Sequence, residues 1–94
     1  MTSKNLNSQD RRLGVIGIII NNPDKSYTPL NNILHSFSSI IFGRMGLPYC
    51  RRNISIISLI VDGTTDEIGA LTGQLGQLED VSVKTAFTKL PAEQ

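Results

Sequence analysis

Apolar positions change period along this chain. From Arg12 to Ile20, and again from Ile54 to Val61, they run almost unbroken and are rich in β-branched residues. Both runs have strand length, and near-continuous apolarity suits strands central in a sheet. Asp62-Gly63 is expected to break the second run as a turn pair. Thr64 follows, with Glu67 three residues on, which is the spacing of a capping box. The Thr64 hydroxyl can accept from the Glu67 N–H while the Glu67 carboxylate reaches back to the Thr64 N–H. Asp66 and Glu67 also put negative charge where a helix dipole favours it. Within the helix so started, Ile68, Leu71, Leu75 and Leu78 recur at helical spacing, and Val81, Val83, Ala86 and Phe87 then give a looser last strand.

Between the two long runs the period is again helical. Asn21-Asn22-Pro23-Asp24 reads as a turn cluster. Beyond it Leu30, Ile33, Leu34, Phe37, Ile40 and Ile41 predict an amphipathic helix that ends near Gly43, with Pro29 in its first turn. Arg44 to Cys50 contains Pro48, which has no N–H for a ladder, so this strand belongs at an edge or carries a bulge. A short hairpin through Cys50 to Asn53 returns the chain to the second apolar run. The fold class is therefore α+β, ferredoxin-like βαββαβ, with a four-stranded antiparallel sheet and two helices on one face. One domain is expected over residues 12–90, with a disordered N-terminal extension at 1–11 and a C-terminal tail at 91–94. Two helices cover one face of such a sheet, yet both central strands are apolar on both faces. The other face needs a cover, and a second copy of the chain is the simplest, so a homodimer or higher homo-oligomer is expected.

Composition narrows the function classes more than it selects one. The formal net charge is +1, and no basic patch is studded with aromatics, so nucleic-acid recognition is not expected. Apolar runs fall far short of the roughly 20 residues of a membrane span, and the polar segment before Leu13 has no signal-peptide core. A lone cysteine forms no internal disulfide, in keeping with a reducing cytoplasm. No nucleophile–base–acid set and no paired carboxylates stand out, so the chain is not expected to be an enzyme.

His35–Ser38 (HSFS), Gly43–Gly46 (GRMG) and Ile68–Gly76 (IGALTGQLG) together resemble the iron-only hydrogenase system regulators, small bacterial proteins with an ACT-like, ferredoxin-like fold. The resemblance covers about Leu13 to Lys89 and extends to the C-terminal ligand-binding domain of nickel-responsive regulators. It implies an ACT-like dimer, a small-molecule effector and a role near hydrogenase maturation, with a maturation protein as partner. The nickel regulators carry a DNA-binding ribbon-helix-helix and hold nickel with several histidines and a cysteine. This chain has one of each and no such segment, so neither direct DNA binding nor a metal site is expected, and the cofactor is unknown.

The candidate ligand-binding residues are Asn21, Asn22, Asp24, His35, Arg44, Gly69 and Gly73. Asn21, Asn22 and Asp24 occupy the first strand-to-helix loop, where the resemblance implies effector binding at a subunit interface; plain turn chemistry is the alternative. His35 reads as a ligand or switch, or as a partly buried helix histidine satisfied locally. Arg44, like Arg51 and Arg52, offers a bidentate fork for a carboxylate or phosphate, or is a surface charge. Gly69, Gly73 and Gly76 form a stripe on the second helix that invites a close backbone neighbour or a small ligand. Cys50 is a reactive thiol beside two arginines or an inert one. The functional expectation is a small regulatory domain sensing a ligand at a dimer interface; the alternative is an adaptor that binds a partner protein without any small ligand.

Overall fold

The computed structural model describes residues 11–49 and 53–88. Its order is β1 (Arg11–Asn21), α1 (Pro23–Ser36), a 3-10 turn (Ser38–Ile40), β2 (Ile41–Tyr49), β3 (Ile54–Thr64), α2 (Thr65–Gly76) and β4 (Val81–Phe87). The two long apolar runs become the two central strands. β1 and β3 pair antiparallel from Arg11 opposite Thr64 to Asn21 opposite Ile54, and the strand order is β2-β3-β1-β4. This is the ferredoxin-like arrangement. Alternation along the strands divides the sheet cleanly. Ile16, Ile18 and Ile20 of β1 and Ile57, Leu59 and Val61 of β3 are buried beneath Leu30 and Leu34 of α1 and Ile68, Leu71 and Leu75 of α2.

Leu13, Val15, Ile19, Ile56 and Ile60 alternate with those core positions and face the other way, each about two-fifths or more exposed. Met45 pairs with Ser58 and Leu47 with Ile56, so β2 extends the same open face with side chains 74% and 61% exposed. Charged groups stand at one end and on one edge of this face. Arg11 and Asp62 form an ion pair at one end, Nη2 to Oδ1 3.3 Å, while Lys84, opposite Gly17, sits on edge strand β4.

The helix boundaries differ from the sequence expectation. α1 begins at Pro23, which fills the first-turn place expected of Pro29, and Pro29 lies inside the helix. The helix tolerates it because Pro29 is exposed: the Lys25 carbonyl, deprived of a partner at i+4, can turn to water. α1 stops at Ser36, where the Phe37 N–H closes on the Ile33 and Leu34 carbonyls, so β2 starts at Ile41 rather than Arg44. The expected edge position is found, since β2 pairs only with β3, and the register shifts between Ile41 and Gly43. Asp62-Gly63 is no turn: β3 continues through it to Thr64.

The second helix starts where its capping box places it. Thr64 Oγ1 accepts from the Glu67 N–H at 3.0 Å, and Glu67 Oε1 accepts from the Thr64 N–H at 2.9 Å. The helix ends at Gly76 with Gln77 as its cap, so Leu78 lies beyond it, half-buried against the core. Gly69, Gly73 and Gly76 are exposed, and a Cβ at any of them would meet nothing of this chain within 4 Å. The close approach to the sheet expected of that stripe is absent. Cys50, Arg51 and Arg52 lie outside the described residues.

Candidate functional site

The last two turns of α1 present Asn31, Leu34 and His35 on one side, spaced three and four residues apart as helical neighbours are. The 3-10 turn adds Ser38. β2 adds Ile41 and, on the side facing the helices, Arg44, whose partner Leu59 is a core residue. These six residues line a concavity of about 300 Å³, at the lower end of the roughly 300–1,000 Å³ of small-molecule sites. Leu34 is buried and Ile41 half-buried, so they form its apolar wall, while His35, Ser38, Asn31 and Arg44 are exposed at its rim.

One geometric detail fixes the cation. The Arg44 Nη2 donates to Asn31 Oδ1 at 2.9 Å, which leaves the other guanidinium donors uncommitted to any bond seen among the described residues. Among the described residues no acidic side chain lines the concavity. The carbonyl end of α1 lies nearby and opposes an anion by about 0.3–1 kcal/mol per charge, although Phe37 already donates to two of its carbonyls. Arg44 is exposed, so an ion pair with it is screened by solvent and contributes about 0.2–1 kcal/mol, the same size as that opposition. The guanidinium fork can meet one negative charge and disfavours a cation.

The other candidates lie elsewhere. Asn21 is five residues along β1 from Ile16, which shares a register row with Leu59 and Arg44; that separation is about 17 Å. There Asn22 and Asn53 both adopt left-handed backbone, with φ of 57° and 59°. Asn53 Nδ2 donates to Asn22 Oδ1 at 2.8 Å and the Asn22 N–H to the Asn53 carbonyl at 3.1 Å. The Asn21 N–H donates to the Asp80 carbonyl at 2.8 Å, and the Ser26 hydroxyl to the Glu79 carbonyl at the same distance. Asn21 and Asn22 thus use polar groups to tie three chain reversals together. Asp24 is exposed one turn away, and Gly69 and Gly73 lie on the outer side of α2. Of the expected set, His35 and Arg44 line the concavity and the others do not. His35 is exposed, not partly buried.

Asn31, Ser38 and Ile41 escaped sequence reasoning. The i, i+4 pair Asn31–His35 was legible, but extending α1 to Gly43 wound Ser38 and Ile41 into the helix and hid the gap beside β2. Among the described residues no group of three or more His, Cys, Asp or Glu could hold a metal, and no helix is long and apolar enough to cross a membrane.

Residues 12–85 match the TM1266-like family, which carries the provisional description of iron-only hydrogenase system regulator. The chain belongs to this family. The match spans the sheet from Arg12 of β1 to Thr85 of β4 and includes every residue of the α1–β2 concavity. TM1266-like structure is represented by the uncharacterised protein TM1266 from Thermotoga maritima, 39% identical, covering 84% of this chain and 99% of its own, with a TM-score of 0.81. Two more distant structures share the fold. The C-terminal domain of MgtC from Mycobacterium tuberculosis is 14% identical over 92% of this chain and 97% of its own, TM-score 0.62. The apo form of CPII from Thiomonas intermedia K12, a nitrogen regulatory PII-like protein, is 13% identical over 82% and 89%, TM-score 0.54. No curated protein matches significantly.

Proposed function

We propose that this TM1266-like chain is a non-catalytic regulatory domain of the iron-only hydrogenase system in a bacterial cytoplasm. It pairs with a second copy through the open sheet face, binds a small ligand between α1 and β2, and passes the bound state on to a partner protein of that system. The observation that carries this reading is a single step along β2. Arg44 faces the concavity and Met45, the next residue, faces the open side of the sheet. A ligand that draws on Arg44 therefore acts on a strand whose other side is built for contact. β2 is an edge strand, so it is held from one side and free to respond.

Area supports self-association of modest strength. Four strands spaced about 4.8 Å, each giving roughly eight residues of about 3.3 Å, make a face on the order of 500 Å². Two such faces total about 1,000 Å², at the low end for a specific interface. The adaptor reading has its own support in Phe42, 68% exposed beside the β2 bulge, where a partner protein could dock without any ligand.

Native mass spectrometry of the protein isolated gently from its host separates the two. A dimer carrying a stoichiometric small molecule is the expected result. A ligand-free dimer that retains a second protein would favour the adaptor, and a monomer across micromolar concentrations would remove the dimer.

A further inference from the structure

We infer that the α1–β2 concavity is a carboxylate site, taking a small aliphatic acid with one carboxylate on Arg44 and its carbon chain on Leu34 and Ile41. The inference rests on the small-ligand reading above and names the class of ligand. Asn31 accepts from one arm of the Arg44 guanidinium through the 2.9 Å bond to Nη2, which keeps that arm beside the end of α1. The planar fork matches the two oxygens of a carboxylate. Among the described residues no acidic side chain lines the concavity to compete for it.

The remaining lining sets the rest of the ligand. Leu34 and Ile41 supply apolar wall, and His35 and Ser38 supply hydrogen-bonding groups at the rim for one further polar substituent, such as a hydroxyl. A volume of about 300 Å³ suits a ligand of a few carbons. Phosphate fits poorly. The helix end beside the site is the C-terminus of α1, which opposes anions, and a phosphate monoester carries nearly twice the charge of a carboxylate with a single arginine to meet it.

The test uses matched pairs of probes on the full-length, isotope-labelled protein: butyrate with butyramide, and lactate with lactamide, each titrated by two-dimensional NMR. Inorganic phosphate is the third probe. The acids are expected to shift the Asn31, His35, Ser38 and Arg44 amides and the Arg44 Nε–H saturably, at least tenfold more tightly than the amides, with the Asn21–Asn22 amides unmoved. Arg44→Gln should weaken acid binding at least tenfold, and Arg44→Lys, which keeps the charge but loses the fork, should fall between. Arg44 is exposed, so both variants should keep the wild-type spectrum elsewhere. Equal binding of acid and amide, or a preference for phosphate, overturns the carboxylate assignment and leaves a small-ligand site standing. Absence of shifts in the concavity with every probe also overturns it. The small-ligand reading is then judged separately, by whether the host-purified protein carries a bound mass.

Discussion

At the scale of single residues, glycines and caps carry opposite lessons. The Thr64–Glu67 capping box was legible because its chemistry is local: two side chains and two N–H groups within one turn. Thr64→Ala should lower stability by about 1 kcal/mol, read as a fall in Tm of roughly 4–8 °C for a domain this size. The glycine stripe of α2 misled because a small residue records only that space is left, never what fills it. With open space at Gly69 and Gly73, the double change to Ala should raise stability by roughly 1–2 kcal/mol in chemical denaturation. A loss there would mean that a second chain packs on the stripe. Gly63 is the counter-case. A Cβ at that position would stand 3.1 Å from Ile40 Cγ2 and 3.0 Å from the capping carboxylate of Glu67. Gly63→Ala is therefore expected to cost about 1–3 kcal/mol, in the same assay and with opposite sign.

At the scale of elements, strand identity was legible and helix boundaries were not. The Ile-rich runs of β1 and β3 admit one reading, since unbroken β-branched apolarity leaves no polar face for a surface helix. α1 was displaced because two prolines competed for one first turn. The apolar period points to Pro29 for that turn, whereas Pro23 occupies it. The cost of the interior proline is still present in the fold. Pro29→Ala restores a donor for the Lys25 carbonyl, and the gain of about 3 kcal/mol for removing an interior proline is offset by up to about 1 kcal/mol of added chain entropy in the unfolded state. A net stabilisation of roughly 2 kcal/mol is expected from these two terms, measurable by thermal melting. The same displacement explains why the site was only half legible. His35 and Arg44 could be named as candidates from the sequence, but their meeting depends on α1 stopping at Ser36 and β2 starting at Ile41, a boundary that the helical period of Ile40 and Ile41 conceals.

At the scale of the whole molecule, the open sheet face and the concavity share β2, and the shared strand makes association and binding testable against each other. Val15 lies near the middle of the open face, 44% exposed and in register with Ile60. In the proposed dimer Val15→Lys sets a charge near the middle of the contact, while removing little from the helix-side core. The variant should fold with unchanged far-UV circular dichroism and sediment as a monomer, where the proposal expects the native chain to sediment as a dimer. The same variant tests how occupancy of Arg44 is read out. If the ligand is read through β2, its affinity must differ between dimer and monomer, and by linkage the ligand, with one site on each copy, must shift the dimerisation constant by the square of that factor. Coupling of about 1–3 kcal/mol predicts a roughly five- to 150-fold difference in carboxylate affinity between the native chain and Val15→Lys. A change in dimer dissociation by the square of that ratio should appear when the native chain is saturated with the acid. Sedimentation equilibrium with and without ligand measures one side of this cycle and NMR titration the other. Equal affinities in the two forms would show that the strand carries nothing between its faces, and the concavity would then be a binding site without a readout through this dimer.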